Sequence, residues 1–120
     1  MGKSNKIKQL LASRSNMLTI ESAWIKAAVE HKTIEITYHS EKNETTVREV
    51  EPDYYGWSTN GRNFGCFGFC RLRDGNIRCF KPENILEWRY VGNLFSPDPQ
   101  GRWHELMAVY QQKGLAETNF

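Results

Sequence analysis

Three arginines surround one short turn in the stretch CRLRDGNIRC, residues 70–79 of the chain. The dipeptide Asp74-Gly75 is typical of a two-residue hairpin loop, which would place Arg71 opposite Arg78 on the neighbouring strand. The third arginine, Arg73, would lie next to the turn. Like charges directly opposite each other on neighbouring strands destabilise the strand pair. The pattern therefore leaves two interpretations: solvent screens the arginines, or they bind an anion.

Extending this register along both strands separates the side chains onto two faces. One face, suited to the core, collects Cys66, Cys70, Leu72, Ile77 and Cys79. The opposite face collects Phe67, Phe69, Arg71, Arg73, Arg78 and Phe80. Such interleaved side chains suit a nucleotide or single-stranded nucleic acid, because bases stack on rings while phosphates accept bidentate hydrogen bonds from guanidinium groups. Alternatively, the phenylalanines pack beneath a terminal helix and the arginines extend into water.

One helix and about five strands must position these residues. Apolar residues recur at helical spacing over residues 19–32, and Thr19 is suited to the N-cap position. A second turn signal, Asn60-Gly61, would place Trp57 opposite Phe64. An open sheet of this size would leave edges and apolar faces uncovered, so we predict a mainly β (α+β) fold with a small, strongly bent sheet or barrel. The strand-like segments are residues 33–38, 45–52, 63–73, 76–80 and 84–91.

The second of these strands contains a conflict. Extending its register from the Asn60-Gly61 turn puts Tyr55 and Trp57 on the core side, but the same alternation would bury Glu49 and Glu51. Unpaired buried carboxylates are costly. We therefore predict a bulge or bend near residues 52–56.

The two ends of the chain differ from the middle. Residues 1–18 are predicted to form a basic tail, and residues 19–93 the β domain. After the turn-rich segment SPDPQG, apolar residues at helical spacing predict a C-terminal helical segment within residues 94–120. These apolar residues are Trp103, Leu106, Met107 and Tyr110. The segment either caps the sheet or docks on a partner.

The composition argues against several classes of protein. With 120 residues and a net charge of +2, the chain suits one mildly basic domain. No apolar stretch approaches the roughly 20 residues of a membrane span and no signal sequence is recognisable, so we expect a cytoplasmic protein. Three cysteines in such a chain favour free thiols. No catalytic or metal-binding motif is recognisable, so we expect no enzymatic activity, no cofactor and no metal.

Residues 25–91 resemble a WYL domain, a family of bacterial and phage regulators with an Sm/SH3-like β-barrel. The resemblance rests on the order of three segments: AAVEHKTIEITYHS, then VREVEPDYY, then NFGCFGFCRLRDGNIRCFKPENI. Arg48, Arg73 and Arg78 match basic positions of the family's pattern. Two departures are visible. Phe64-Gly65-Cys66 stands in place of the Trp-Tyr-Leu tripeptide, and Asn84 stands where an arginine often precedes isoleucine.

The resemblance implies a five-stranded Sm/SH3-like barrel that binds a negatively charged ligand, such as a nucleotide or single-stranded nucleic acid. The tail before Thr19 is too short for a helix-turn-helix, so we expect a free-standing regulatory or accessory module that acts through its ligand, a protein partner or a homodimer. Phosphate binding is assigned to Arg71, Arg73 and Arg78, with Arg48 and Lys81 at the margin. Base stacking is assigned to Phe67, Phe69 and Phe80.

The alternative hypothesis is a protein-interaction adaptor or inhibitor. It would dock a larger protein through the barrel edge or the C-terminal helix, and the aromatic content of the last third of the chain supports it. Salt dependence separates the two hypotheses, because phosphate binding weakens steeply as salt rises whereas an apolar interface changes little.

Overall fold

A helix leads into the sheet. The computed structural model describes residues 18–72 and 75–119, so the predicted tail up to residue 17, together with Arg73 and Asp74, lies outside the described residues. Helix α1 spans Ile20–Glu30, and its N-cap is Thr19, whose hydroxyl accepts a hydrogen bond from the Ser22 amide at 3.1 Å. The predicted helix and its N-cap are confirmed.

Five antiparallel strands form a single sheet in the order β4-β3-β2-β1-β5. The strands are β1 (Lys32–His39), β2 (Thr45–Trp57), β3 (Phe64–Cys70), β4 (Ile77–Phe80) and β5 (Ile85–Leu94). The edge strands β4 and β5 are joined by the 3-10 turn Pro82–Asn84, and they do not pair with each other in the part of the chain that the structure describes. The mainly β, α+β class is confirmed, but the sheet is open and the predicted barrel is not confirmed.

The sheet nevertheless curls, so that the end of β1 meets the end of β4. The rings of Tyr38 and Phe80 lie 5.1 Å apart in an edge-to-face arrangement. The Lys81 amide donates a hydrogen bond to the Tyr38 hydroxyl at 3.1 Å, and the Lys81 ammonium lies 2.6 Å from the Glu41 carboxylate. These contacts help to cover the apolar inner face. The need to cover this face was one reason for predicting a barrel.

Trp24 of α1 lies at the centre of the main core and is completely buried. Its indole Nε1 donates a hydrogen bond to the Phe67 carbonyl at 3.0 Å, and its ring packs edge-to-face on Phe80. Gly68 makes room for the indole, since a Cβ there would lie 2.7 Å from Val50 Cγ1 and 3.2 Å from Trp24 Cζ2. The helix therefore crosses the inner face of β2 and β3.

The bulge predicted in β2 is confirmed. The pairing with β3 shifts register between Pro52 and Tyr54, which leaves Asp53 as the extra residue. Val50 consequently faces the core at 0% exposure. The predicted pairing of Trp57 with Phe64 is also confirmed.

The C-terminal segment packs on α1. It consists of the 3-10 turn Trp103–Leu106, the helix α2 (Met107–Gln112) and the 3-10 turn Leu115–Glu117. Leu106 and Leu115 are buried against Ile25 and Ala28 of α1. The predicted helical segment is thus confirmed as a short helix between two turns, and it covers the helix that lies on the sheet.

Candidate functional site

The pairing of β3 with β4 differs from the predicted register by three residues. Gly68 lies opposite Arg78, and Cys66 lies opposite Phe80. The prediction that Arg71 faces Arg78 is therefore wrong, and residues 71–76 connect the strands instead of the dipeptide alone. Packing explains the difference, because this register brings the Phe80 ring into the core beside Tyr38 and Trp24.

This shift by an odd number of residues moves every β4 side chain to the other face of the sheet. The faces predicted for residues 66–70 of β3 are correct, whereas those predicted for β4 are inverted. The prediction that Leu72 lies in the core is wrong, because Leu72 follows the end of β3 and is 94% exposed. Arg78 and Phe80 lie on the inner face with Cys66 and Cys70. Ile77 and Cys79 lie on the outer face, opposite Phe69 and Phe67.

Arg48 of β2 lies on the inner face at the rim of the core, opposite Ile36 of β1. Its Nε donates to the Thr46 hydroxyl at 2.9 Å, and its Nη1 lies 3.7 Å from the Cys70 sulfur. The guanidinium carbon lies 5.7 Å from the centre of the Phe80 ring. Arg48 is half-buried, and it makes no ion pair within residues 18–72 and 75–119.

Arg48 and Arg78 border the same short stretch of β3. Arg78 lies opposite Gly68, and Arg48 contacts Cys70, which is two residues further along the same face. We call Arg48, Arg78, Cys70 and the Phe80 ring beneath them the inner basic site. Phe80 itself is 2% exposed, so its ring is not accessible to a stacking base. The guanidinium groups of this site can bind an anion.

Arg71 lies on the opposite side of the sheet and has a carboxylate partner. Its Nη1 is 3.6 Å from Glu49 Oε2. Glu49 also accepts hydrogen bonds from Thr33 and Asn93, and these bonds, with Arg71 nearby, hold the pKa of Glu49 below its usual value. Neighbours in the chain do not reveal this ion pair, because Glu49 reaches Arg71 across β2 and β3.

Lys81 is likewise engaged with an acidic residue. The hydrogen bond and the charge of Glu41 raise the pKa of Lys81, and both side chains are exposed. An incoming phosphate would have to compete with Glu41 for this ammonium group. Lys81 is therefore placed at a contact that holds the β1–β2 loop against β4.

The predicted stacking rings Phe67 and Phe69 lie on the outer face. Phe67 lies 6.3 Å from the Tyr54 ring, and Phe69 lines a cavity of about 260 Å³. Glu51, Asp53 and Asp98 also line that cavity. Burial raises the pKa of both Glu51 and Asp53. The surroundings of Phe69 are acidic, which opposes the binding of phosphate there.

All three cysteines, Cys66, Cys70 and Cys79, are free thiols. Burial raises the pKa of the Cys66 thiol, with a smaller contribution from Cys79. Within the described part of the chain, no group of three or more histidine, cysteine, aspartate or glutamate side chains is arranged to hold a metal. Nor does that part contain a helix long and apolar enough to cross a membrane.

The fold and the site together define a small α+β domain with a curled five-stranded sheet and a basic rim on its inner face. The WYL domain family matches residues 22–90, which is more than half of the chain. The chain belongs to the WYL domain family. The predicted family is confirmed.

A comparison with solved structures supports the same fold. The chain is similar to the proteasome accessory factor B/C (PafBC) of Arthrobacter aurescens, with a TM-score of 0.56 and 21% sequence identity. The match covers 84% of this chain and 15% of the PafBC chain, so this chain corresponds to a small part of that protein. No curated protein sequence matches the chain.

Proposed function

We propose that this chain is a non-enzymatic regulatory or accessory module that binds a nucleotide or single-stranded nucleic acid in the cytoplasm. Arg48 and Arg78 of the inner basic site contact the phosphate. The observation that carries the proposal is the environment of Arg48: a half-buried guanidinium group at the rim of the core with no carboxylate partner among the described residues.

The free-energy cost of removing the Arg48 charge from water supports this assignment. Removing a charged group from water is unfavourable unless an opposite charge or several hydrogen bonds compensate for it. The Arg48 guanidinium group contacts the Thr46 hydroxyl, the Cys70 sulfur and the Phe80 ring, and no carboxylate lies within ion-pair distance of it among the described residues. A phosphate oxygen would supply that charge and would accept bidentate hydrogen bonds from the planar guanidinium group.

The other predicted residues have smaller roles in this proposal. Arg71 and Lys81 already have carboxylate partners, so a ligand gains less from them. Phe80 supports Arg48 from below instead of stacking on a base. Phe67 and Phe69 could stack only on a ligand that crosses to the outer face, and Arg73 lies outside the described residues.

Family membership supports the regulatory part of the proposal. PafBC is named as an accessory factor, and this chain matches 15% of its length. We infer that this chain likewise acts as an accessory module, and that its binding state is read by another protein or domain. The C-terminal segment packs on α1, which leaves the sheet edges as the surface for the adaptor alternative.

Fluorescence anisotropy with a labelled nucleotide and with labelled single-stranded DNA and RNA tests the proposal at low and at physiological salt. Arg48→Gln is the test variant, and Arg71→Gln, the same change on the opposite face, is its matched control. We expect Arg48→Gln to weaken binding about tenfold, because a hydrogen bond to a charged group contributes more than one tenfold step. For single-stranded DNA and RNA, the slope of log affinity against log salt concentration should become less steep by about 0.7.

The Arg71→Gln variant should bind within about threefold of the parent protein. Thermal melts of both variants separate a loss of binding from a loss of fold. An absence of binding at low salt would refute the proposal. An equal loss of affinity in both variants would show that the ligand binds elsewhere than at the inner basic site.

A further inference from the structure

The outer edge of β5 carries no neighbouring strand among residues 18–72 and 75–119. This edge belongs to a strand of ten residues, Ile85–Leu94, and such an edge presents backbone groups that readily pair with another strand. Two of its apolar side chains are strongly exposed: Leu86 at 59% and Leu94 at 71%. Residues Leu18, Leu86, Trp88 and Tyr90 also line an open groove of about 720 Å³ beside it.

The middle of β5 is regular. From Glu87 to Tyr90 the strand pairs with β1 without interruption, and the register shifts only beyond these residues on either side. Trp88 packs against the main core, whereas Glu87 and Arg89 point to the outer face and are exposed. Two opposite charges therefore flank one large apolar residue on a straight piece of edge strand.

We propose that β5 pairs antiparallel with β5 of a second copy of this chain, about a two-fold axis at Trp88. Glu87 of each copy then lies opposite Arg89 of the other. On the inner face Trp88 lies opposite its own counterpart. The two five-stranded sheets become one continuous sheet.

Symmetry and charge together select this register. In an antiparallel strand pair related by a two-fold axis perpendicular to the sheet, each residue and the residue opposite it lie on the same face. Neighbouring residues of one strand lie on opposite faces, so no residue can pair with the neighbour of its own counterpart. One residue must therefore lie opposite its own copy, with the axis midway between the two. An axis at Glu87 would place two carboxylates opposite each other, and an axis at Arg89 would place two guanidinium groups opposite each other. Like charges in these positions are destabilising, whereas the axis at Trp88 brings opposite charges together twice.

The interface is small. About five residues from each copy take part, which puts the buried area at the low end of specific interfaces. We therefore expect a dimer that forms in the micromolar range. Arg48 of the inner basic site lies in the same row of the sheet as Trp88, with only Ile36 of β1 between them. The test of the dimer therefore changes residues of β5 only and leaves Arg48 in place.

Sedimentation velocity of the full chain, from about 1 µM to about 200 µM, tests the proposal together with two charge reversals. Glu87→Arg and Arg89→Glu should each shift the protein to monomer, because each places like charges opposite each other. An equimolar mixture of the two variants should recover the dimer, since every facing pair then has opposite signs. The double variant Glu87→Arg/Arg89→Glu should recover it as a homodimer.

Thermal melts accompany these measurements, because Arg89 also lies 2.9 Å from Glu35 of its own chain. Glu87→Arg disturbs no ion pair that the described part of the chain contains. A parent chain that stays monomeric at the highest concentration would overturn the proposal, as would a mixture that fails to recover the dimer. A monomer whose outward β5 amides are protected from hydrogen exchange would assign the edge to the chain's own residues 1–17, and this outcome would also overturn the dimer.

Discussion

Replacing Glu30 with glutamine tests whether the C-terminal segment and the sheet unfold as one unit. Glu30 lies at the end of α1, and its Oε2 accepts hydrogen bonds from Lys26 Nζ at 2.8 Å and from the Tyr110 hydroxyl at 2.6 Å. Lys26 also donates to the Leu115 carbonyl at 2.7 Å. These contacts join α1 to α2 and to the last 3-10 turn of the C-terminal segment.

The expected loss of stability follows from the hydrogen bonds that glutamine keeps and from the charge that it removes. The amide oxygen can still accept both hydrogen bonds, but the charge opposite the Lys26 ammonium is lost, and the Lys26 side chain is only 6% exposed. Breaking a fully buried ion pair costs about 3–5 kcal/mol. Glu30 is partly solvated, at 18% exposure, so we expect a loss of about 2 kcal/mol in the free energy of unfolding.

A thermal melt followed by circular dichroism at neutral pH measures this loss. For a chain of this size, it corresponds to a decrease of about 8 °C in the midpoint, with one transition retained. Glu41→Gln is the matched control: the same substitution removes an ion pair with Lys81 that is shorter, at 2.6 Å, but exposed. We expect the midpoint of this control to stay close to that of the parent protein.

The pH dependence of the stability difference between parent and Glu30→Gln can refute this explanation. Burial acts to raise the pKa of Glu30, but the hydrogen bonds from Lys26 and Tyr110 outweigh it and lower the pKa. The stabilisation is therefore complete above the unfolded-state pKa and is lost as the pH falls through the lower folded-state pKa. The stabilities of parent and Glu30→Gln should converge once the pH has fallen below the folded-state pKa of Glu30. Equal stabilities at neutral pH, or a difference that persists in acid, would contradict the reasoning.

Two further predictions concern β3. Gly68→Ala should destabilise the fold by about 2–3 kcal/mol in denaturant titration, because the new Cβ would lie 2.7 Å from Val50 Cγ1 and 2.8 Å from the Glu51 carbonyl oxygen. Gly61→Ala, at a positive φ of 71° with open space around it, should cost only about 1 kcal/mol, and equal losses would argue against the steric explanation. Thiol labelling of the native protein should modify the half-buried Cys79 first and the buried Cys66 only on unfolding, since burial raises the pKa of the Cys66 thiol. Early labelling of Cys66 would show that the inner face opens without global unfolding.

Local features were predictable from the chain because short-range physics decides them. Thr19 caps α1 as a threonine before an amphipathic run should. The Asn60-Gly61 turn set the pairing of Trp57 with Phe64. The bulge at Asp53 followed from the cost of burying Glu49 and Glu51, which is a property of the residues themselves.

The site depended on more than local signals. The Asp74-Gly75 dipeptide favoured one register of β4, but the burial of Phe80 against Tyr38 and Trp24 favoured another. A turn preference is worth about 1 kcal/mol or less, whereas burying a phenylalanine is worth about 2 kcal/mol or more, so packing decided the register. That choice placed Arg78 on the inner face with Arg48.

By itself, the sequence determined the WYL family, the strand segments, the helix with its cap and the bulge, because each of these follows from composition or from neighbours within a few residues. Only the tertiary structure decided which arginines share a face and which have partners. Glu49 meets Arg71, and Arg48 meets Cys70, across strands that lie far apart in the chain. Such contacts depend on register, and register is a compromise among all the side chains that must enter one core.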